Sequence, residues 1–221
     1  MKNQYLEKLY KKGLGMHHIT NTAYPLTPAS LYQHKITDNE DIKILLKKDI
    51  ESCDELSLYV HIPFCQNRCK FCEYAVVSGS DRDQKDKYIE YLLKEIDMYK
   101  EFIGDKLIVG FDMGGGTPTQ LSSKQIKTIT DHLHKTFNFD PHVTMSIETT
   151  PLIAATNPKL IKDLYKIGYR RISMGIQTID TKLLESFERE GSTKLYDDAI
   201  NNIRLAGFEK FNIDLMYGFL N

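Results

Sequence analysis

The chain has 221 residues, 41% of them apolar, which suits one large domain or one and a half and supplies a sizeable core. A net charge of −1, with lysines and acids interspersed, excludes a global field that draws the chain to nucleic acid or to an acidic membrane surface. No apolar run reaches the length of a membrane span, and the N-terminal MKNQYLEKLYKKGLGMHH is positive without the apolar stretch of a secretory signal, so the expected compartment is the cytosol.

Residues 1–50 are polar and mixed. Pro25 and Pro28 break any helix in NTAYPLTPAS, leaving an N-terminal arm with one helix near Asp41–Glu51. Residues 51–221 then form the expected core domain. LSLYVHI (56–62) is a β-rich run that stops at Pro63, and apolar residues at helical spacing mark a helix over 83–103. KLIVGFDM (106–113) is a strand closed by three glycines, and a helix follows over 122–137, with a serine available as N-cap. A strand over 142–149 precedes Pro151. NPKLIKDLYKIG (157–168) is a helix with proline at its second position and glycine at its end. RRISMGIQ (170–177) is a strand, 180–190 and 194–207 are helices, and FEKFNIDLMYGF (208–219) is a last strand.

This alternation predicts an α/β fold with parallel strands covered by helices, in which active sites sit at the C-terminal ends of the strands. The chemistry-bearing residues fall there. Three cysteines follow the first strand, Gly114–Gly116 the second, Glu148 ends the third, Gln177 the fourth, and Asp214 lies within the fifth. Turn chemistry alone accounts for the glycines but not for an acid embedded in NIDLMYG. No helix follows the fifth strand to cover it, so a longer parent protein is expected.

Of the four cysteines, Cys65, Cys69 and Cys72 lie within eight residues, in HIPFCQNRCKFCEYA. A reducing compartment disfavours a disulfide there, and thiolates are soft ligands for zinc or iron–sulfur clusters. A closed structural zinc site needs a fourth ligand, which His61 or Cys53 would have to supply. A three-thiolate iron–sulfur cubane instead leaves one iron open to a small molecule. Phe64, Phe71 and Tyr74 would exclude water around the thiols, or simply pack.

YVHIPFCQNRCKFC resembles the cluster loop of the radical S-adenosylmethionine (SAM) superfamily. With GGGTPT, RRISMGIQ and NIDLMYG in order, the chain is similar, from about Tyr24 to Gly218, to the branch of oxygen-independent coproporphyrinogen III oxidase. The resemblance implies a partial (β/α) barrel with about five of its six strands, an incomplete core that lacks the sixth strand and the C-terminal domain. It implies a [4Fe–4S] cluster on Cys65, Cys69 and Cys72, with SAM on the fourth iron. Tyr59 and His61 become candidate catalytic residues lining the cluster and the methionine end of SAM. Gly115, Gly116 and Thr117 match the glycine-rich SAM motif, Glu148 the acid on the ribose hydroxyls, and Gln177, Arg189 and Asp214 further positions on SAM. Arg189 would face its carboxylate, and the backbone of Met216 the adenine.

The implied reaction is reductive cleavage of SAM to methionine and a 5′-deoxyadenosyl radical that abstracts hydrogen from a small-molecule substrate, in this branch a tetrapyrrole of porphyrin and heme biosynthesis. An electron donor such as flavodoxin or ferredoxin is the implied partner. Tyr74 stands where the oxidase branch usually carries a further cysteine, which draws the chain toward the heme chaperone-like proteins and the class C radical SAM methyltransferases. Without the sixth strand the chain is expected to expose an apolar face, bind SAM poorly and lack activity.

Overall fold

The computed structural model describes residues 39–72 and 74–218; the chain divides into two units, Met1–Lys48 and Asp49–Asn221. The first unit contributes only the start of helix α1 (Asn39–Glu51) to the described residues, so the NTAYP segment of the expected arm lies outside them. In the second unit β1 (Glu55–Ile62) is followed by β2 (Phe64–Cys65), β3 (Val77–Ser78) and the long helix α2 (Arg82–Ile103). Then come β4 (Leu107–Gly115), a 3₁₀ turn at Pro118–Gln120, α3 (Ser123–Thr136), β5 (Asn138–Phe139) and β6 (Met145–Thr149). Two helices, α4 (Pro151–Thr156) and α5 (Pro158–Ile167), lead to β7 (Tyr169–Gln177), and α6 (Thr181–Ser186) and α7 (Thr193–Ala206) lead to β8 (Lys210–Leu215).

The helix starts follow from local chemistry. Asp81 caps α2 through the N–H of Gln84 at 2.8 Å, and Ser122 with Gln125 forms a reciprocal capping box on α3. Asn157 caps α5, with Pro158 at the first helical position, where its missing N–H costs nothing.

The main sheet has the order β1-β4-β6-β7-β8, every pairing parallel, with β5 adding a short pairing to β4. Because spatial order equals chain order, every crossover steps the same way, and right-handed crossovers then place the covering helices on one face. The period-two alternation of the strands matches. Ile62, Phe111, Met113, Ile147, Ile172 and Met174 are buried in the core with Ile126, Ile129, Leu133, Ile161, Leu164 and Ile203 of the helices. The opposite face carries Ser57, Tyr59 and His61, then Asp112 and Gly114, Glu148, Ser173, and Asn212 with Asp214. Contacts across that face fix the assignment. A Cβ on Gly110 would strike Ser57, one on Gly114 would strike Glu148 and Tyr59, and Asn212 Nδ2 donates to Ser173 Oγ at 3.1 Å.

Three local expectations change. The glycines do not close the second strand: Gly114 and Gly115 belong to β4, where a Cβ on Gly114 would strike Glu148 and Tyr59. Pro151 does more than end β6; it opens the extra helix α4, with Thr150 as its cap. The helix expected over 180–190 stops at Ser186. The chain then turns through Glu188 at φ +57°, so Arg189 leaves the helix altogether. Leu215 at the end of β8, Tyr217 after it and Ile179 after β7 are exposed. No helix among the described residues is long and apolar enough to cross a membrane.

Ile147 is fully buried at the middle of β6, the central strand. Ile147→Ala should lower unfolding free energy by about 2–5 kcal/mol, measured by urea denaturation at an unchanged m-value.

Candidate functional site

The cysteine loop begins and ends at one point. β2 pairs with β3, the N–H of Val77 donates to the carbonyl of Pro63 at 2.8 Å, and the N–H of Gly116 donates to the carbonyl of Ile62 at 2.8 Å. Phe64, 3% exposed, plugs the base of the loop and meets the ring of Tyr88 edge-on at 5.3 Å, and Tyr88 donates its hydroxyl to the carbonyl of His61 at 2.6 Å. The loop is therefore rooted in the core at the C-terminal end of β1. Within it the N–H of Cys72 donates to the carbonyl of Cys69 at 3.0 Å, and Arg68 Nη2 donates to the carbonyl of Cys72 at 3.1 Å.

Cys65, Cys69 and Cys72 line one cavity of about 270 Å³ together with Gly115, Gly116, Thr117, Glu148, Gln177, Arg189 and Asp214. Five parallel strands deliver these groups to one rim, as the topology requires. Cys65 Sγ lies 3.4 Å from Thr117 Oγ1, and Arg189 Nη1 donates toward Cys69 Sγ at 3.4 Å. The other guanidinium nitrogen, Nη2, donates to the carbonyl of Gly175. Gly115 has φ +115°, and a Cβ there would sit 2.7 Å from the His61 ring; a Cβ on Gly116 would lie 2.9 Å from the carbonyl oxygen of Pro63 and 3.0 Å from Cys65 Sγ. Glycine is required at both places for the turn to lie against the cysteine loop. Gln177 also takes a left-handed backbone, φ +70°, and its carbonyl accepts the N–H of Met216 at 2.8 Å.

Glu148 Oε2 accepts the N–H of Gly115 at 3.2 Å. Burial raises the pKa of this carboxyl; the Gly115 hydrogen bond opposes the rise, and Asp214 and Asp112 add to it. Burial likewise raises the Cys65 thiol against the lowering effect of Thr117. Tyr59, Tyr74 and Tyr88 are all pushed upward, chiefly by burial.

Three sequence-predicted residues stand beside this cavity rather than in its lining. Tyr59, 55% exposed, places its hydroxyl 3.4 Å from His61 Nδ1, and His61 packs under Gly115. His61 Nε2 is buried without a hydrogen-bond partner among the described residues. Met216 approaches only through its backbone bond to Gln177. The cavity also takes in residues the sequence did not single out, among them Arg68, Ser173 and Gly175. The alternation of SMG in β7 was the available signal for the last two. Arg68 had none, since a loop arginine reads as ordinary solvated charge.

The donor set suits an iron–sulfur cluster better than a closed single-ion shell. Cys53 precedes β1 while Cys65 follows it, so the strand's eight residues separate them by about 25 Å at ~3.3 Å per residue. Cys53 instead bonds locally toward the carbonyl of Asp49, which removes it as a fourth zinc ligand. His61 packs under Gly115 and outside the cavity lining, so it does not complete a four-ligand shell either.

A sequence profile of the radical SAM superfamily matches residues 59–221. The oxygen-independent coproporphyrinogen III oxidase of Helicobacter pylori is 33% identical over 168 residues, 75% of this chain and 36% of that protein. The heme chaperone HemW of Haemophilus influenzae is 30% identical over 171 residues, 75% of this chain and 44% of that protein. Among solved structures, the coproporphyrinogen III oxidase of Escherichia coli matches with a TM-score of 0.73 at 31% identity, over 80% of this chain and 40% of that one. The chain thus spans well under half the length of these relatives.

Because its folded pKa is raised, Glu148 favours the folded state when protonated, and that contribution is lost as pH climbs from the ordinary carboxylate value through the raised one. Glu148→Gln should therefore raise the Tm at neutral pH, with the gain shrinking toward pH 4; a gain independent of pH would contradict the assigned burial.

Proposed function

This chain belongs to the radical SAM superfamily, and we propose that it forms the cluster- and SAM-binding part of an oxygen-independent, coproporphyrinogen oxidase-like oxidoreductase acting on a tetrapyrrole. The carrying observation is the meeting of three thiols, a glycine turn and a half-buried carboxylate around one cavity at the C-terminal rim of the sheet. When bound, the [4Fe–4S] cluster supplies the electron that splits SAM into methionine and a 5′-deoxyadenosyl radical.

The chain's own groups hold and orient the reactants. Cys65, Cys69 and Cys72 would ligate the cluster and leave its fourth iron open. Gly115, Gly116 and Thr117 would set the glycine turn against the methionine end of SAM, the N–H groups of the two glycines being bonded to Glu148 and Ile62. Glu148, kept in place by the N–H of Gly115, accepts ribose hydroxyls, and Gln177 and Asp214 complete that side. Arg189 offers a guanidinium to the SAM carboxylate, while the backbone of Met216 borders the adenine. Tyr59 and His61 bound the site on the β1 side, where His61 supports the turn at Gly115. The implied electron donor is a flavodoxin or ferredoxin.

A second reading, heme transfer without turnover, is favoured by the HemW relatives and by Tyr74, which lines the cavity where the oxidase branch usually has a cysteine. A class C methyltransferase would show itself by forming S-adenosylhomocysteine.

The test is anaerobic reconstitution of the full-length protein. Wild type should bind iron and sulfide at about four each per chain, as the cubane's composition requires, and release 5′-deoxyadenosine with dithionite and SAM. Cys69→Ala should lose most of the iron and all of the cleavage. Coproporphyrinogen III consumed with SAM supports the oxidase, whereas one heme bound and passed on without SAM consumption supports the chaperone. Colourless, iron-free wild type refutes both.

A further inference from the structure

The short turn after α6 touches the cysteine loop in four independent ways. The N–H of Lys70 donates to the carbonyl of Phe187 at 3.4 Å. Lys70 Nζ pairs with Glu188 Oε1 at 3.1 Å. The rings of Phe71 and Phe187 meet edge-on at 5.2 Å. Arg189 Nη1 donates toward Cys69 Sγ at 3.4 Å, while its Nη2 is tied to the carbonyl of Gly175 at the end of β7. Three consecutive residues, Phe187, Glu188 and Arg189, thus engage three consecutive residues of the loop, Cys69, Lys70 and Phe71.

The backbone shows that this arrangement is specific. Glu188 sits at φ +57°, where the end of a helix ordinarily takes glycine. The N–H groups of Glu188 and Arg189 return to the carbonyls of Glu185 and Leu184 at 3.0 Å each, so the turn is closed on the end of α6. Gly175 makes room for it: a Cβ there would lie 3.2 Å from Arg189 Nη2. The exposed Lys70–Glu188 pair contributes little by itself. The aromatic contact and the Arg189 bridge carry the connection.

We propose that the Phe187–Arg189 turn latches the cysteine loop, and that Arg189, by donating to the Cys69 sulfur, raises the reduction potential of the cluster that loop holds. This inference rests on the cluster-binding reading above and assigns Arg189 a positioning role separate from any contact with SAM. Reduction adds one negative charge to the cluster, and a cation hydrogen-bonded to a ligand sulfur stabilises the more negative state. The strand β7 carbonyl holds the other arm of the guanidinium, so the charge stays beside the thiolate before any ligand arrives.

The test uses the full-length protein reconstituted without SAM, which removes ligand contacts from the comparison. Potentiometric titration followed by electron paramagnetic resonance should give Arg189→Gln a more negative midpoint potential than wild type at equal iron and sulfide content, with Arg189→Lys between them. Arg68→Gln, which removes a charge bonded to a backbone carbonyl rather than to sulfur, should shift it less. In metal-free protein, amide hydrogen exchange over residues 69–72 should be several-fold faster in Arg189→Gln and in Phe187→Ala than in wild type. An unchanged potential at full iron content overturns the tuning role, and unchanged exchange overturns the latch, which also decides the matter if Arg189→Gln takes up too little iron to titrate. Wild type that takes up no iron defeats the cluster reading itself.

Discussion

The site depends on one constraint: a parallel sheet whose strands lie side by side in chain order. Such a sheet can be covered by its own right-handed crossovers on one face only. Most apolar residues of β4, β6 and β7 are consumed by that face, which leaves the other largely to polar and small residues. The two faces of each strand therefore carry different duties. Ile147 and Ile172 hold the fold, while their neighbours Glu148 and Ser173 point into space that the helices leave open.

Strand ends then concentrate the chemistry. A strand that runs one residue pair too far would bring backbone into collision, and β4 shows how glycine removes the conflict. Gly114 passes beneath Tyr59 and Glu148, Gly115 turns over the His61 ring, and Gly116 closes against Pro63 and Cys65. The result is a backbone surface whose N–H groups are committed inward: that of Gly115 to Glu148, that of Gly116 to Ile62. A carboxylate orienting a turn and a turn orienting a cysteine loop form one connected unit, so loss of any member displaces the others.

Much of this was legible in the sequence because period and punctuation agreed. The five main strands and the long helix α2 follow from alternation, helical spacing and the Gly and Pro positions. The cysteine spacing singled out the candidate ligands without help from the fold. What could not be read were features set by tertiary contact. The run DTKLLESFERE carries helical propensity throughout, yet the helix stops at Ser186 because Phe187 packs on Phe71 and Glu188 turns into the left-handed region. No local signal announces that break. Likewise SIETTP reads as a strand stopped by proline, and only the capping bond of Thr150 to the N–H of Ile153 shows that a helix starts there. Arg189 drew attention through family resemblance; its bond to a cysteine sulfur comes from a residue 120 positions away.

The charge balance of the rim says what kind of ligand the open face favours. Burial raises the pKa of Glu148, and the exposed Asp214 and Asp112 raise it further, so acids from three strands bear on the open face. A purely anionic ligand would add to that repulsion. A ligand that brings hydroxyls to the carboxylates, a positive centre to the acidic side and its own carboxylate to Arg189 would relieve it at every point. In the reading proposed above SAM would bring such a distribution to a lining with Glu148 on β6, Asp214 on β8 and Arg189 beside the cysteine loop. Arg189, bonded to Cys69 Sγ, lies on the side of the thiols, where in the cluster-binding reading proposed above an added electron would reside.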